Sequence, residues 1–237
     1  MTLRDRIVAG GRLRGTFLGI PSPAVTEIVC AAGPDFVCID GEHSPIRGEA
    51  LLNMLRAARV PALVRVAEAL PHLIAEVLDA GAEGVLVPRV SSAEQAALAV
   101  RAARFPPAGQ RGVGPGRAAG YGYRIAELIA ARPPFVAIQI ETPDAVLAVD
   151  DILATPGLDL AFIGPGDLGV GLAAAGHPMT LDAAIDTVIA AAEARGIPVG
   201  IFAPDRAQGD RWLARVPLVI QGSDAMILGA GSEAAFG

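Results

Sequence analysis

Eight times along its 237 residues the chain passes from a short apolar run into a longer amphipathic, alanine-rich stretch. That alternation restricts the fold more than any single motif. The apolar runs lie at 16–19, 35–40, 62–66, 84–87, 135–141, 160–163, 198–201 and 218–220, short enough to be buried strands. Between them lie helix-like segments such as 24–32, 49–59, 92–104, 144–154, 181–195 and 205–215. Strands that alternate with helices form a parallel sheet, and eight such units in a chain of this size predict a (β/α)8 TIM barrel. An open doubly wound sheet is the runner-up. No shift in composition marks a boundary, so residues 1–237 are expected to form one α/β domain.

An apolar fraction of 52% fills a large core, yet no apolar stretch reaches the ~20 residues of a membrane span. Residues 1–15 alternate arginines with small residues and lack the apolar centre of a signal segment, which points to the cytoplasm. Cys30 and Cys38 sit in apolar contexts and read as small buried hydrophobes. With a net charge of −6 and 4% aromatic residues, the chain lacks the basic surface and stacking platforms of a nucleic-acid binder, leaving small molecules as expected partners. All 19 basic residues are arginine. The absence of lysine excludes a Schiff-base lysine and a P-loop lysine, so any carbonyl chemistry requires a metal or another electrophile.

In such a barrel, polar residues at the C-terminal strand ends face the active site. Those ends carry Asp40, Glu42 and His43 in "DFVCIDGEHSP", Arg65 in "LVRV", Gln139 and Glu141 in "AIQIE", and Asp167 in "FIGPGD". Glu141 and Asp167 close neighbouring strands. Two carboxylates that close repel, share a proton or bind a cation, and a hard divalent ion is the economical reading beside that of two ordinary surface acids. Gln139 and Glu141, two residues apart, share one face of their strand. Arg65, flanked by apolar residues, needs an anion or a carboxylate partner, in a site or in a structural ion pair. His43 stands beside the strand-end acids as a candidate general acid or base, whereas His72 and His177 read as solvated surface residues.

Together with "LDAGAEGVLVPRV" and "RFPPAGQRGVGPGRAAGYG", these segments resemble the metal-dependent class II pyruvate aldolases of the 4-hydroxy-2-oxoheptanedioate and 2-dehydro-3-deoxyglucarate aldolase family, in order over roughly residues 10 to 230. The resemblance implies a (β/α)8 barrel that binds Mg, Mn or Co and assembles as a homo-oligomer, usually a hexamer built as a trimer of dimers. It implies metal ligation by Glu141 and Asp167, acid/base work by His43, transition-state stabilisation by Arg65, and substrate contact by Gln139, Gly166 and Asp167. An aspartate that raises the basicity of the histidine maps onto Asp79, in a segment read as late helix and far from the rim; Asp40 is the local alternative. Glu42 is a candidate to orient groups around the metal. The implied reaction is reversible cleavage of a 4-hydroxy-2-oxo acid to pyruvate, or a related 2-oxo acid, and an aldehyde through a stabilised enolate. Oxaloacetate decarboxylation, a citrate-synthase-like condensation and a non-catalytic metabolite-binding barrel are the alternatives.

No nucleotide cofactor is expected, because Gly112, Gly114 and Gly116 do not lie between a strand and a helix. The irregular stretch 105–123 that holds them reads as a substrate lid or an assembly contact. The chain ends at Gly237, short of the longer terminal helix of relatives, which bears on assembly.

Overall fold

In a computed structural model that describes residues 1–237, strands β1 (Leu13–Leu18), β2 (Phe36–Asp40), β3 (Ala62–Arg65), β4 (Gly84–Val87), β5 (Phe135–Ile140), β6 (Leu160–Ile163), β7 (Val199–Ala203) and β8 (Leu218–Ser223) pair in parallel, each with the next, and β8 closes on β1. Helices α1 (Leu3–Val8), α2 (Pro23–Ala31), α3 (Gly48–Ala57), α4 (Pro71–Asp79), α5 (Ala93–Ala103), α6 (Ile125–Ala130), α7 (Pro143–Leu147), α8 (Val149–Leu153), α9 (Pro165–Ala174), α10 (Leu181–Arg195), α11 (Arg206–Leu213) and α12 (Asp224–Phe236) complete the chain. No helix is long and apolar enough to cross a membrane.

Strand residues point alternately to the helix layer and to the barrel interior, and this parity carries each polar residue to its place. On β5, Val136, Ile138 and Ile140 pack outward, while Phe135 and Ala137 fill the interior below Gln139. On β2, Phe36 and Cys38 lie inside below Asp40, and on β3 Leu63 lies inside below Arg65. The interior is therefore apolar at its floor and polar at its C-terminal mouth. Helix α1 plugs the floor with Leu3 and Ile7. Both cysteines are free and buried, and burial pushes the Cys38 thiol well above its ordinary range.

Some expectations change. β1 starts at Leu13, because Leu13 and Arg14 already pair with Leu218 and Val219 of β8. The helix expected over 144–154 is two, broken at Ala148 (φ −96°, ψ 9°), with Val146, Val149, Ile152 and Leu153 buried on either side of the break. The stretch 105–123 follows α5, so it lies at the N-terminal end of the barrel, where Arg117 donates to the Ala80 carbonyl at 3.0 Å. It is no lid over this chain's own mouth.

Candidate active site

Arg65 organises the mouth. It stands beside Asp40 in the β2–β3 register, and its Nε and Nη2 donate to the two Asp40 oxygens at 3.0 and 2.7 Å. The guanidinium carbon lies 4.4 Å from the centre of the Phe17 ring, a cation–π contact from β1. Burial pushes the Asp40 carboxyl up, but the Arg65 hydrogen bonds and charge, with the backbone N–H groups of Glu42 and His43, outweigh it and hold it below the usual range. The Arg65 guanidinium is in turn held above its ordinary value: burial opposes its charge, and Asp40 more than compensates. The structural ion pair that the sequence left open is present, and it faces the cavity.

Glu42 is the third member of this group. Its Oε2 lies 3.1 Å from Arg65 Nη1, within ion-pair range but out of line for a hydrogen bond, so that buried oxygen has no donor. The same oxygen is 3.7 Å from His43 Nε2. Burial raises the Glu42 carboxyl, Asp40 and Asp167 add to the rise, and Arg65 and His43 oppose it. Asp40, expected as a partner for the histidine ring, reaches only the His43 backbone N–H, at 3.2 Å. The nearby carboxylate of His43 is Glu42. The His43 side chain is 63% exposed, free to meet a ligand.

Across the mouth, Glu141 follows β5 and is 2% exposed. Its Oε1 accepts from the Arg89 backbone N–H at 2.7 Å, and its Oε2 accepts from the Gln139 amide. Burial raises the Glu141 carboxyl, opposed by the Arg89 N–H and by Arg65 and reinforced by Glu42 and Asp167. Arg89 holds φ +53°, a left-handed conformation that an arginine adopts at a cost of order 1 kcal/mol or more. That turn aims its N–H at Glu141. Gly164, after β6, is required for space: a Cβ there would lie 2.6 Å from Glu141 Oε2 and 2.9 Å from its Cβ. Pro165, Gly166 and Asp167 form the first turn of α9, whose N–H groups of Gly166 and Asp167 are among those a helix leaves without internal acceptors.

These groups line one cavity of about 280 Å³, walled by Phe17, Phe162 and Phe202 and by Gly166, Ser223 and Met226. Asp40, His43, Arg65, Gln139, Glu141 and Asp167 all border it. The protein offers no cluster of three His, Cys, Asp or Glu side chains spaced as metal ligands. It offers two carboxylates, Glu141 and Asp167, crowded by Glu42. Such a hard, oxygen-only set, its like charge only partly offset by Arg65, fits a divalent cation that keeps much of its water, in the manner of Mg²⁺.

Asp79 is the exception among the expected residues. It ends α4 at the N-terminal end of the barrel, where Arg111 Nη2 donates to its Oδ1 at 2.6 Å. A helix that follows β3 runs back down the outside of the barrel, so its last residue cannot reach the mouth of its own chain. Phe17, Arg89, Gly164 and Asp224 were missed. Asp224, 3% exposed, accepts from the N–H groups of Gly19 and Ile20 at 2.9 Å and ties α12 to the rim. The serine before it, a helix cap, was the available signal.

Residues 13–228 match the family model described as HpcH/HpaI aldolase/citrate lyase. The chain is 38% identical to a 4-hydroxy-2-oxo-heptane-1,7-dioate aldolase of Salmonella arizonae, covering 98% of this chain and 91% of that protein. It is 39% identical to a hydroxypyruvate/pyruvate aldolase of Paraburkholderia phytofirmans, over 86% of this chain and 83% of that one. A crystal structure of a HpcH/HpaI aldolase/citrate lyase family protein from Burkholderia cenocepacia superposes with a TM-score of 0.89 at 34% identity, covering 98% of this chain and 96% of the other. By sequence and by fold, the chain belongs to the HpcH/HpaI aldolase/citrate lyase family.

Proposed function

We propose that this carbon–carbon lyase reversibly cleaves 4-hydroxy-2-oxo acids to pyruvate, or a related 2-oxo acid, and an aldehyde. The observation that carries the reading is one cavity bordered by two acids suited to a hard cation, Glu141 and Asp167, by the fixed cation Arg65 and by the exposed base His43. The names of the aldolase relatives support the same reaction class.

Glu141 and Asp167 would hold Mg, Mn or Co, and the bound ion would supply Lewis-acid polarisation of the 2-oxo carbonyl. The chain's own residues do the rest. The first-turn N–H groups of α9, at Gly166 and Asp167, suit the substrate carboxylate, which the positive end of the helix dipole favours. In the cleavage direction His43 takes the proton of the 4-hydroxyl, the C3–C4 bond breaks to release the aldehyde, and the electron pair moves into an enolate. Arg65 stabilises the enolate oxygen with a positive charge already oriented by Asp40 and Phe17. A proton delivered to C3 completes pyruvate, and Gln139 orients the substrate beside Glu141. Phe17, Phe162 and Phe202 limit water around the enolate.

Assembly into a homo-oligomer, with the hexamer as the expected form, is supported by α12, where Met226, Ile227, Leu228 and Phe236 are 46 to 91% exposed. The proposal keeps the cytoplasmic location expected from the sequence.

Pyruvate release from 4-hydroxy-2-oxo acids of graded chain length, with Mg²⁺ or Mn²⁺ and again after chelation, tests the reaction. Metal-dependent release of pyruvate and aldehyde in equal amounts is expected. Release unaffected by chelation, or none from any such acid, contradicts it.

A further inference from the structure

The barrel divides its mouth between two arcs of strands. The arc from β2 to β6 brings Asp40, His43, Arg65, Gln139, Glu141 and Asp167, so the groups that do chemistry share one side. The other arc, β7, β8 and β1, walls the rest of the cavity with Phe202, Ser223 and Phe17, joined by Met226 from the first turn of α12.

This second wall has no positive group. The rings of Phe17 and Phe202 have centroids 6.1 Å apart, and Phe17 also carries the Arg65 guanidinium, 4.4 Å from its centre. The apolar surface therefore begins where the only guanidinium of the lining ends. Ser223, the one polar side chain of the wall, accepts the Met226 N–H at 3.2 Å as the cap of α12. Arg47 Nη1 donates to the Ile46 carbonyl at 2.7 Å, and Arg89 gives the site its backbone N–H; neither side chain borders the cavity.

The charge already present works against a further anion. Asp40, Glu141 and Asp167 border the cavity against Arg65. A divalent ion on Glu141 and Asp167 brings that lining only to neutrality, and the carboxylate of a bound 2-oxo acid makes it negative again. Arg65 has little charge to spare, because Asp40 takes two of its N–H groups and Glu42 lies 3.1 Å from Nη1. A second carboxylate on the substrate would lose its water among phenyl rings with no cation to meet it.

We propose that the aldehyde partner of this site is uncharged, and that Phe17, Phe202 and Met226 select it by offering its chain an apolar wall without a cation. In the condensation direction the bond forms between C3 of the pyruvate enolate and the aldehyde carbon, and the aldehyde oxygen takes a proton from His43. The substituent on that carbon extends along the wall. The inference rests on the aldolase reading and narrows it to acceptors without a carboxylate.

The rate of pyruvate consumption by the full-length, assembled protein with Mg²⁺ tests it. The two acceptors are 4-oxobutanoate and 4-methylpentanal, its neutral isostere with an isopropyl group in place of the carboxylate. The expected kcat/KM is at least about tenfold higher for 4-methylpentanal, and Met226→Arg, which gives the wall a cation from a half-exposed position, lowers that ratio by about tenfold. Should the variant fail to fold, the wild-type ratio decides alone. Equal use of the two acceptors, a preference for 4-oxobutanoate, or a ratio that Met226→Arg leaves unchanged overturns the proposal. Deuterium exchange into pyruvate without an acceptor reads the underlying reaction separately. With exchange intact, any of those results strikes only the acceptor class, whereas no exchange removes the aldolase reading and the inference together.

Discussion

Arg65 on β3 and Asp40 on β2 are direct neighbours in the sheet register and form a two-pronged ion pair, at 3.0 and 2.7 Å, inside the mouth of the barrel. The pair fixes the cation that borders the cavity, and it answers the charge of a strand that ends in acids. Removing one partner therefore has consequences for folding as well as for chemistry.

Arg65→Met leaves Asp40 buried without its counter-charge, beside Glu42. A destabilisation of about 3–5 kcal/mol is expected, with a fall of about 10²-fold or more in kcat/KM in the surviving folded protein. Arg65→Lys keeps the charge but not the fork, so its stability loss is smaller while much of the activity is still lost. Urea denaturation and steady-state rates check both; an unchanged urea midpoint in Arg65→Met contradicts the role given to the pair.

Asp40 and Glu141 respond to pH in opposite senses. The Asp40 carboxyl is held below its ordinary 3.8, so its contribution is present above that pH and is lost as pH falls through the lower folded value. The Glu141 carboxyl is raised above its ordinary 4.5, so its contribution is full below that pH and is lost as pH rises through the folded value. In metal-free protein, Glu141→Gln is expected to be more stable than wild type at about pH 7, by on the order of 1 kcal/mol, with the difference gone near pH 4. Thermal unfolding at both pH values in the presence of a chelator checks this, and wild type equal to the variant at neutral pH contradicts it.

Gly164 and Gly166 stand two residues apart with opposite tolerances. A Cβ at Gly164 meets Glu141, whereas a Cβ at Gly166 meets nothing within 4 Å. Gly164→Ala should displace the Glu141 carboxylate and weaken divalent-ion binding by about 10- to 100-fold. Gly166→Ala, which leaves the backbone N–H in place, should keep activity within about fivefold. Mn²⁺ titration followed by electron paramagnetic resonance distinguishes them; similar affinities would undo the packing argument.

Helix α12 buries its first residue, Asp224, and exposes the apolar side chains that follow. In an assembled protein those side chains form contacts, so Ile227→Glu with Leu228→Glu is expected to lower the oligomeric state seen by light scattering coupled to size-exclusion chromatography. A wild type that runs as a monomer would contradict the assembly.

Much of this was legible in the sequence because strand parity is strict. Once β5 was set as a strand, Phe135 and Ala137 had to face inward, and Gln139 and Glu141 had to follow them to the mouth. The same holds for Cys38 and Asp40, and for Leu63 and Arg65. Pairing was harder, because it depends on which strands are neighbours and on side-chain reach. The partner of His43 is a case: Asp40 was the local alternative to Asp79, but Arg65 claims its carboxylate and leaves Glu42 to the ring. The left-handed turn at Arg89 carries no glycine to announce it. The break at Ala148 carries no glycine or proline to mark it, and it is set by the packing of Val146, Val149, Ile152 and Leu153 on either side. Asp79 sits at the floor as its late-helix position implied, and its acid is taken up by Arg111.

Whether this mouth makes an enolate from a 2-oxo acid is read directly, without an aldehyde, by proton NMR of pyruvate in deuterated water. With Mg²⁺ or Mn²⁺ present, the methyl signal is expected to disappear as deuterium enters, and to persist after chelation or in Glu141→Ala. A methyl signal that persists with every divalent ion tried, in protein shown to be folded and metal-loaded, would contradict enolate formation at this mouth.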